Sequence, residues 1–294
     1  MQRFLVGGHP EASKRGAIKT KRSNGARACA ARVISNMVML VLFHGDTSTA
    51  SAKVRLALAE KRLSFESRLF VLRRGEHRNA EYLAINPAGV VPTLVHDGCA
   101  IVESNVILEY VEEAFPEPPL LPASLAERAR TRALMRDADH LHDACSVLSS
   151  VVKLAPMRDD TSAVSAALAR VADPLKRERQ ARLVAQGFDA PDIQHAFARF
   201  RAAIDSAADA LEAAAWLSGA NVGLADCALL PFIHRADRLG LAELWADRPP
   251  IADWLSRMRA RPSFATAVSA FEAEAPYRPS PELAARLRGG THLS

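Results

Sequence analysis

The run Asn86-Pro87-Ala88-Gly89-Val90-Val91-Pro92-Thr93-Leu94-Val95 constrains the fold more than any other stretch of the chain. Pro92 comes immediately before a short β-branched run. Inside a strand its missing N–H would remove a rung of the ladder, so it belongs at the strand's mouth. The Pro-Ala-Gly turn ahead of it makes that placement workable if the Val91-Pro92 bond is cis, a form that serves tight local geometry. The Val91 N–H and C=O would then turn away from the ladder. A lone donor and acceptor at a strand edge suit an extended, peptide-like ligand. Shortly afterwards Glu103-Ser104 opens a helical pattern, with side-chain oxygens placed to cap it.

The surrounding pattern gives that strand its neighbours. Met37–Phe43 is a continuous apolar run, the signature of a strand buried on both faces. His44–Ala50 is a polar turn with several possible N-caps, and Ser51–Arg62 reads as a helix. Ser64–Leu72 reads as a second strand and about Arg78–Ile85 as a short helix. Thr93–His96 and Cys99–Val102 form a hairpin about Asp97-Gly98. Glu103–Ala114 closes a small mixed α/β unit. Pro116-Glu117-Pro118-Pro119-Leu120-Leu121-Pro122 is a stiff, extended linker.

Beyond the linker everything reads as helix. The segments are Ser124–Ala155 closed by Pro156, a charged stretch Thr161–Gln186, Pro191–Trp216, one opening at Gly223, Pro249–Arg259 and Ser263–Glu274. Gly223 is the expected N-cap of its helix, with Asp226 reaching back from the third position. The expected organisation is a basic extension over 1–36, an α/β domain over 37–115, a linker over 116–123, an all-α domain over 124–280 and a tail over 281–294.

Charge and composition exclude several partners. Residues 1–36 hold eight Lys or Arg and one acid, Glu11. Removing these from 38 basic and 33 acidic residues leaves 30 against 32. The remainder is near neutral, so no nucleic-acid footprint follows. The first 36 residues read as a basic tail or as an upstream start ahead of Met37 or Met39. No apolar run approaches the roughly 20 residues of a membrane span. The four cysteines are scattered with no CxxC pair, which argues against a disulfide framework, a zinc knuckle or a dithiol redox site and suits a reducing compartment. His140 and His142 lie two apart on a helix and point to different faces, so they do not make a metal pair.

Several runs together resemble the cytosolic glutathione S-transferases. They are STASAKVRLALAEK over Ser48–Lys61, GEHR over Gly75–Arg78, NPAGVVPTLVHDG over Asn86–Gly98, ESNVILEYVEEAFP over Glu103–Pro116 and GLADCALLP over Gly223–Pro231. The resemblance covers Met37 to about Glu274. It implies an α/β thioredoxin-like N-terminal domain followed by an all-α C-terminal domain, glutathione as cosubstrate, a small hydrophobic electrophile as second substrate, a homodimer and a cytoplasmic location. It also implies site residues. The backbone of Val91, ahead of Pro92, pairs with the cysteinyl part of glutathione. Glu103 and Ser104 hold the γ-glutamyl end. His77 and Arg78 resemble the positions that reach the glycyl carboxylate. Val90 stands where some relatives carry a glutamine. The segment Asp173–Phe200 resembles an insertion of the bacterial β-etherases, which makes aryl-ether cleavage an alternative to general conjugation. A glutathione-binding protein without catalysis is a further alternative.

The implied chemistry is thiol activation. A free thiol with a pKa near 8.5 is only a few per cent thiolate at neutral pH. Lowering it by about two units needs about 2.7 kcal/mol of thiolate stabilisation. One hydrogen bond to the charged sulfur supplies about 1.5–3 kcal/mol, and a helix N-terminus adds about 0.3–1 kcal/mol. A single hydroxyl at the start of the first helix is therefore enough, and Ser48, Thr49 and Ser51 are the candidates. By motif position Ser48 or Thr49 resembles the activating serine of theta- and zeta-type members. Ser51 fits the register of the etherase type. Ala50 occupies the slot where cysteine-type members carry a nucleophile, which argues against a mixed-disulfide mechanism.

Overall fold

The apolar run after Met39 forms β1 (Leu40–Gly45), in the interior of a four-stranded sheet of order β2-β1-β3-β4. The structure, a computed structural model, describes residues 39–154, 159–169, 171 and 173–272. The expected extension over 1–36 and the tail over 281–294 lie outside them. β2 (Glu66–Phe70) runs parallel to β1, whereas β3 (Thr93–His96) pairs antiparallel with β1 and with β4 (Cys99–Val102). A parallel pair needs a crossover, and α1 (Thr49–Glu60) supplies it. Nine consecutive α1 residues, Ala50 to Leu58, are buried. A helix buried on all sides lies between two layers: α1 packs between the sheet and the C-terminal helices, so the weak apolar stripe in its sequence understates its burial.

The local boundaries follow caps rather than hydrophobic period. α1 starts two residues before the expected Ser51 because the Ser48 side chain accepts from the Ser51 N–H at 3.1 Å. β2 is shorter than expected. Two 3-10 turns, Leu72–Arg74 and Glu76–Arg78, precede α2 (Ala80–Ile85), which Asn79 caps. The charged stretch expected as one helical segment is two helices, α5 (Thr161–Ala169) and α6 (Pro174–Gln186), with Asp173 capping the second ahead of Pro174. Proline suits the first helical position, where its missing N–H has no partner to lose.

The linker is fastened from both sides. After α3 (Ser104–Ala114), Glu112 accepts from the Leu120 and Leu121 N–H groups and pairs with Lys61 at 2.6 Å. Lys61 also donates to the carbonyls of Phe115 and Pro118. Both charges are buried, and together they satisfy linker backbone that lacks secondary structure.

The C-terminal part is helical. It contains α4 (Leu125–Leu154), α5, α6, α7 (Pro191–Ala213), α8 (Leu224–Arg238), α9 (Pro249–Arg259) and α10 (Pro262–Ala267), and a 3-10 turn at Ser269–Phe271 follows. α8 is buried along almost its whole length between α1 and α4. Its start explains Gly223: a Cβ there would lie 2.3 Å from the Leu120 carbonyl oxygen, which accepts from the Leu224 N–H. As expected, Asp226 accepts from the Gly223 N–H. It also accepts from Leu217 N–H, Ser218 N–H and the Trp254 indole. No helix among the described residues is long and apolar enough to cross a membrane.

Candidate functional site

The sheet register brings the sequence-derived site residues to one end. Phe43 pairs with Thr93, and Thr93 pairs with Val102. Gly45 pairs with Phe70 in the parallel direction. Neighbouring strands lie about 4.8 Å apart. The end of β1 leading to Ser48, the start of β3 preceded by Val91-Pro92, the end of β4 leading to Glu103 and the end of β2 leading to His77-Arg78 therefore form one edge.

The turn before β3 is held by a dedicated network. Tyr82 Oη and Asn86 Nδ2 both donate to the Val90 carbonyl, and both contact Thr93 Oγ1 at 2.9 and 3.1 Å. The Val91-Pro92 bond between them is cis, as its place at a strand mouth calls for. Neither the Val91 N–H nor its C=O has a hydrogen-bond partner among the described residues. Gly89, in the left-handed region at φ 58°, lies against the basic pair: a Cβ there would be 3.9 Å from Arg78 Cγ. Arg78 is exposed. The buried His77 Nδ1 has no hydrogen-bond partner among the described residues.

Glu103 is the N-cap residue of α3 at φ 67°. This is a left-handed conformation that a non-glycine residue adopts at a cost of about 1–3 kcal/mol, typically at ligand sites. Ser104 occupies the first position of α3, where free N–H groups favour an anion. Lys53 and Asp139, which the sequence reading missed, lie below this corner. Lys53 is 1% exposed, and its ammonium donates to Asp139 at 3.0 Å. Burial pulls its pKa below the ordinary lysine value, and the charges of Asp139 and Glu103 oppose that. Asn105 donates to the other Asp139 oxygen at 2.7 Å and to the Met135 carbonyl. A lysine in the middle of STASAKVRLALAEK reads as solvent-facing, so only packing reveals this arrangement.

The three candidate hydroxyls differ in environment. The half-buried Ser48 caps α1, and an accepting hydroxyl oxygen still has its own proton to donate. Thr49 is the first residue of α1. Both line a cleft between the α1 start, the second half of α8 and the Ser269–Phe271 turn. Ser51 is 0% exposed, and its oxygen accepts from the Gly45 N–H at 3.1 Å. No α4 residue lines this cleft.

A second buried cation supports the floor. Arg55 donates to the carbonyls of Ala267 and Gly45, and its guanidinium lies 3.9 Å from the centre of the Phe271 ring. It also faces His44 Nδ1 at 3.1 Å. A guanidinium can only donate, so that nitrogen accepts, and Nε2–H donates to Ser67 Oγ at 2.7 Å. Burial and the adjacent Arg55 charge lower the His44 pKa from 6.5 to about 4. The unfolded chain therefore binds a proton below pH 6.5 that the folded chain refuses until about pH 4. Stability is expected to fall by about 3 kcal/mol across that window as pH drops. Urea denaturation at a series of pH values checks this, and His44→Asn should flatten the dependence.

Comparisons with known proteins identify the family of the chain. Residues 42–119 match the family profile described as Glutathione S-transferase, N-terminal domain, and residues 177–257 match the one described as Glutathione S-transferase, C-terminal domain. A maleylacetoacetate isomerase of Pseudomonas aeruginosa is 33% identical over 237 residues, covering 78% of this chain and 95% of that protein. The crystal structure of the β-etherase LigF from Sphingobium sp. strain SYK-6 is similar with a TM-score of 0.66 at 25% identity, covering 79% of this chain and 99% of that one. A glutathione S-transferase from Rhodospirillum rubrum F11 is similar with a TM-score of 0.56 at 31% identity, covering 84% and 98%. The two domain profiles match in chain order, the first ending within the linker, and the P. aeruginosa relative covers 78% of the chain. The chain is a member of the glutathione S-transferase family of glutathione-dependent enzymes.

Proposed function

We propose that the chain binds glutathione along the sheet edge, activates its thiol at Ser48 and adds it to a small hydrophobic electrophile in the cleft beside α1. The Val91 backbone pairs with the cysteinyl residue, Glu103 and Ser104 hold the γ-glutamyl group, and His77 with Arg78 meets the glycyl carboxylate. The thiol proton leaves to solvent. The thiolate sulfur then forms a bond to the electrophilic carbon, and the leaving group departs with its electron pair. The observation that carries this reading is the Ser48 hydroxyl, which caps α1 with its oxygen and keeps its proton for the sulfur. A homodimer belongs to the same reading.

The test is conjugation of a generic chloronitroarene, paired with calorimetry of glutathione binding. Saturable turnover supports the proposal. Glutathione binding without turnover of any electrophile in a panel would favour a binding protein instead. A second reading, cleavage of β-aryl ethers, draws on the similarity to LigF and on the α6–α7 segment. In that reaction the thiolate displaces an aryloxide, and a fluorogenic aryl ether separates it from general conjugation.

A further inference from the structure

The cleft beside Ser48 is more cationic than an uncharged electrophile requires. Both of its carboxylates are engaged within the site. Glu272 accepts from His234 Nε2 at 2.5 Å and pairs with Arg238 at 3.2 Å. Asp46 uses one carboxylate oxygen on the Thr47 and Leu72 N–H groups, and its charge acts on Arg55. Two guanidinium groups are left facing carbonyls. Arg55, on the floor, is bonded to Gly45 and Ala267. Arg235, in the wall formed by α8, donates through Nη2 to the Thr47 carbonyl at 3.0 Å, and no carboxylate pairs with it among the described residues. That hydrogen bond places the Arg235 guanidinium one residue from Ser48 and uses only one of its five N–H donors. The rest of the lining includes Pro231, Leu239 and Val268, which are buried and apolar. A half-buried guanidinium beside apolar walls is poorly satisfied by water and well suited to a planar carboxylate.

We propose that the electrophile this cleft accepts carries a carboxylate, which Arg235 binds while the electrophilic carbon faces the sulfur held at Ser48. This rests on the conjugation reading above and narrows its substrate class. A single carboxylate matches the site better than a dianionic phosphate, because Arg238 is committed to Glu272 and only one wall guanidinium remains open. With an aryl chloride as substrate, the sulfur forms a bond to the ring carbon, chloride leaves with the C–Cl electron pair, and the carboxylate takes no part in bond making.

The test compares two aryl chlorides, a chlorodinitrobenzoate and the uncharged chlorodinitrobenzene, with each kcat/KM divided by its uncatalysed rate with glutathione. The normalised ratio of charged to uncharged substrate is expected to be about tenfold or more in the wild type, the discrimination of one charge-assisted hydrogen bond. Arg235→Gln is expected to bring the ratio to about one, mostly through KM, and Arg235→Lys to retain most of it. A wild-type ratio near one overturns the proposal. So does an unchanged ratio in Arg235→Gln, because a fall in both rates together would mean that Arg235 only supports the Thr47 carbonyl. Absence of conjugation with both substrates overturns the conjugation reading itself and this proposal with it.

Discussion

Replacing Ser48 by alanine is expected to lower kcat/KM for glutathione conjugation at neutral pH by about ten- to a hundredfold. One hydrogen bond to a charged sulfur is worth about 1.5–3 kcal/mol, and the fold loss is that energy converted to a rate. The pH–rate profile should move with it: the apparent thiol pKa rises toward the free value of about 8.5. Ser48→Ala also removes a helix cap, worth about 1 kcal/mol of stability, so thermal melts must accompany the kinetics. The neighbouring hydroxyls provide the contrast. Ser51 is buried and committed to the Gly45 N–H. Ser51→Ala should cost about 1–3 kcal/mol of stability by leaving that donor unpaired, with little change in the thiol pKa. Thr49→Ala tests the other hydroxyl lining the cleft. If the thiol pKa shifts in Thr49→Ala and stays put in Ser48→Ala, the activating role belongs to Thr49.

Asp226→Ala is expected to cause the largest loss of stability. The carboxylate is 0% exposed and takes hydrogen bonds from three backbone N–H groups and the Trp254 indole. Burial pushes its pKa up, while these donors pull it back. Alanine would leave four donors unsatisfied around the start of α8, each costing about 1–3 kcal/mol. A loss of about 4 kcal/mol or more corresponds to a fall of about 10 °C or more in Tm for a domain of this size. Differential scanning calorimetry reads this directly. Asp226→Asn, which keeps one accepting oxygen, should lose about half as much. A Tm within a few degrees of the wild type for Asp226→Ala would show that the capping network does not anchor α8.

Asp226 was legible as a cap, and Ser48 as one of several hydroxyls at the start of the first helix, for local reasons. A serine before an apolar helix and a Gly-x-x-Asp at a helix start are caps whose partners lie within three residues. The Val91-Pro92 turn was legible for a similar reason, because a proline before a β-branched run has few places to go. The break between α5 and α6 was not, since charged and alanine-rich residues on both sides carry the same helical preference. Asp173 and Pro174 mark the break only once the cap is seen.

The sequence by itself determined the order of elements in the α/β domain, the linker, the cap of α8 and the place of the turn before β3. Each depends on residues close together along the chain, where dihedral limits and short-range hydrogen bonds suffice. The tertiary structure decided which side chains meet. It buried Lys53 and Arg55 in α1 by packing the helix on every side, brought Asp139 under the start of α3 and set Arg235 against the Thr47 carbonyl, 188 positions away in the chain. Burial of a cation depends on what covers it, and the cover comes from the other domain, so no local pattern could announce it.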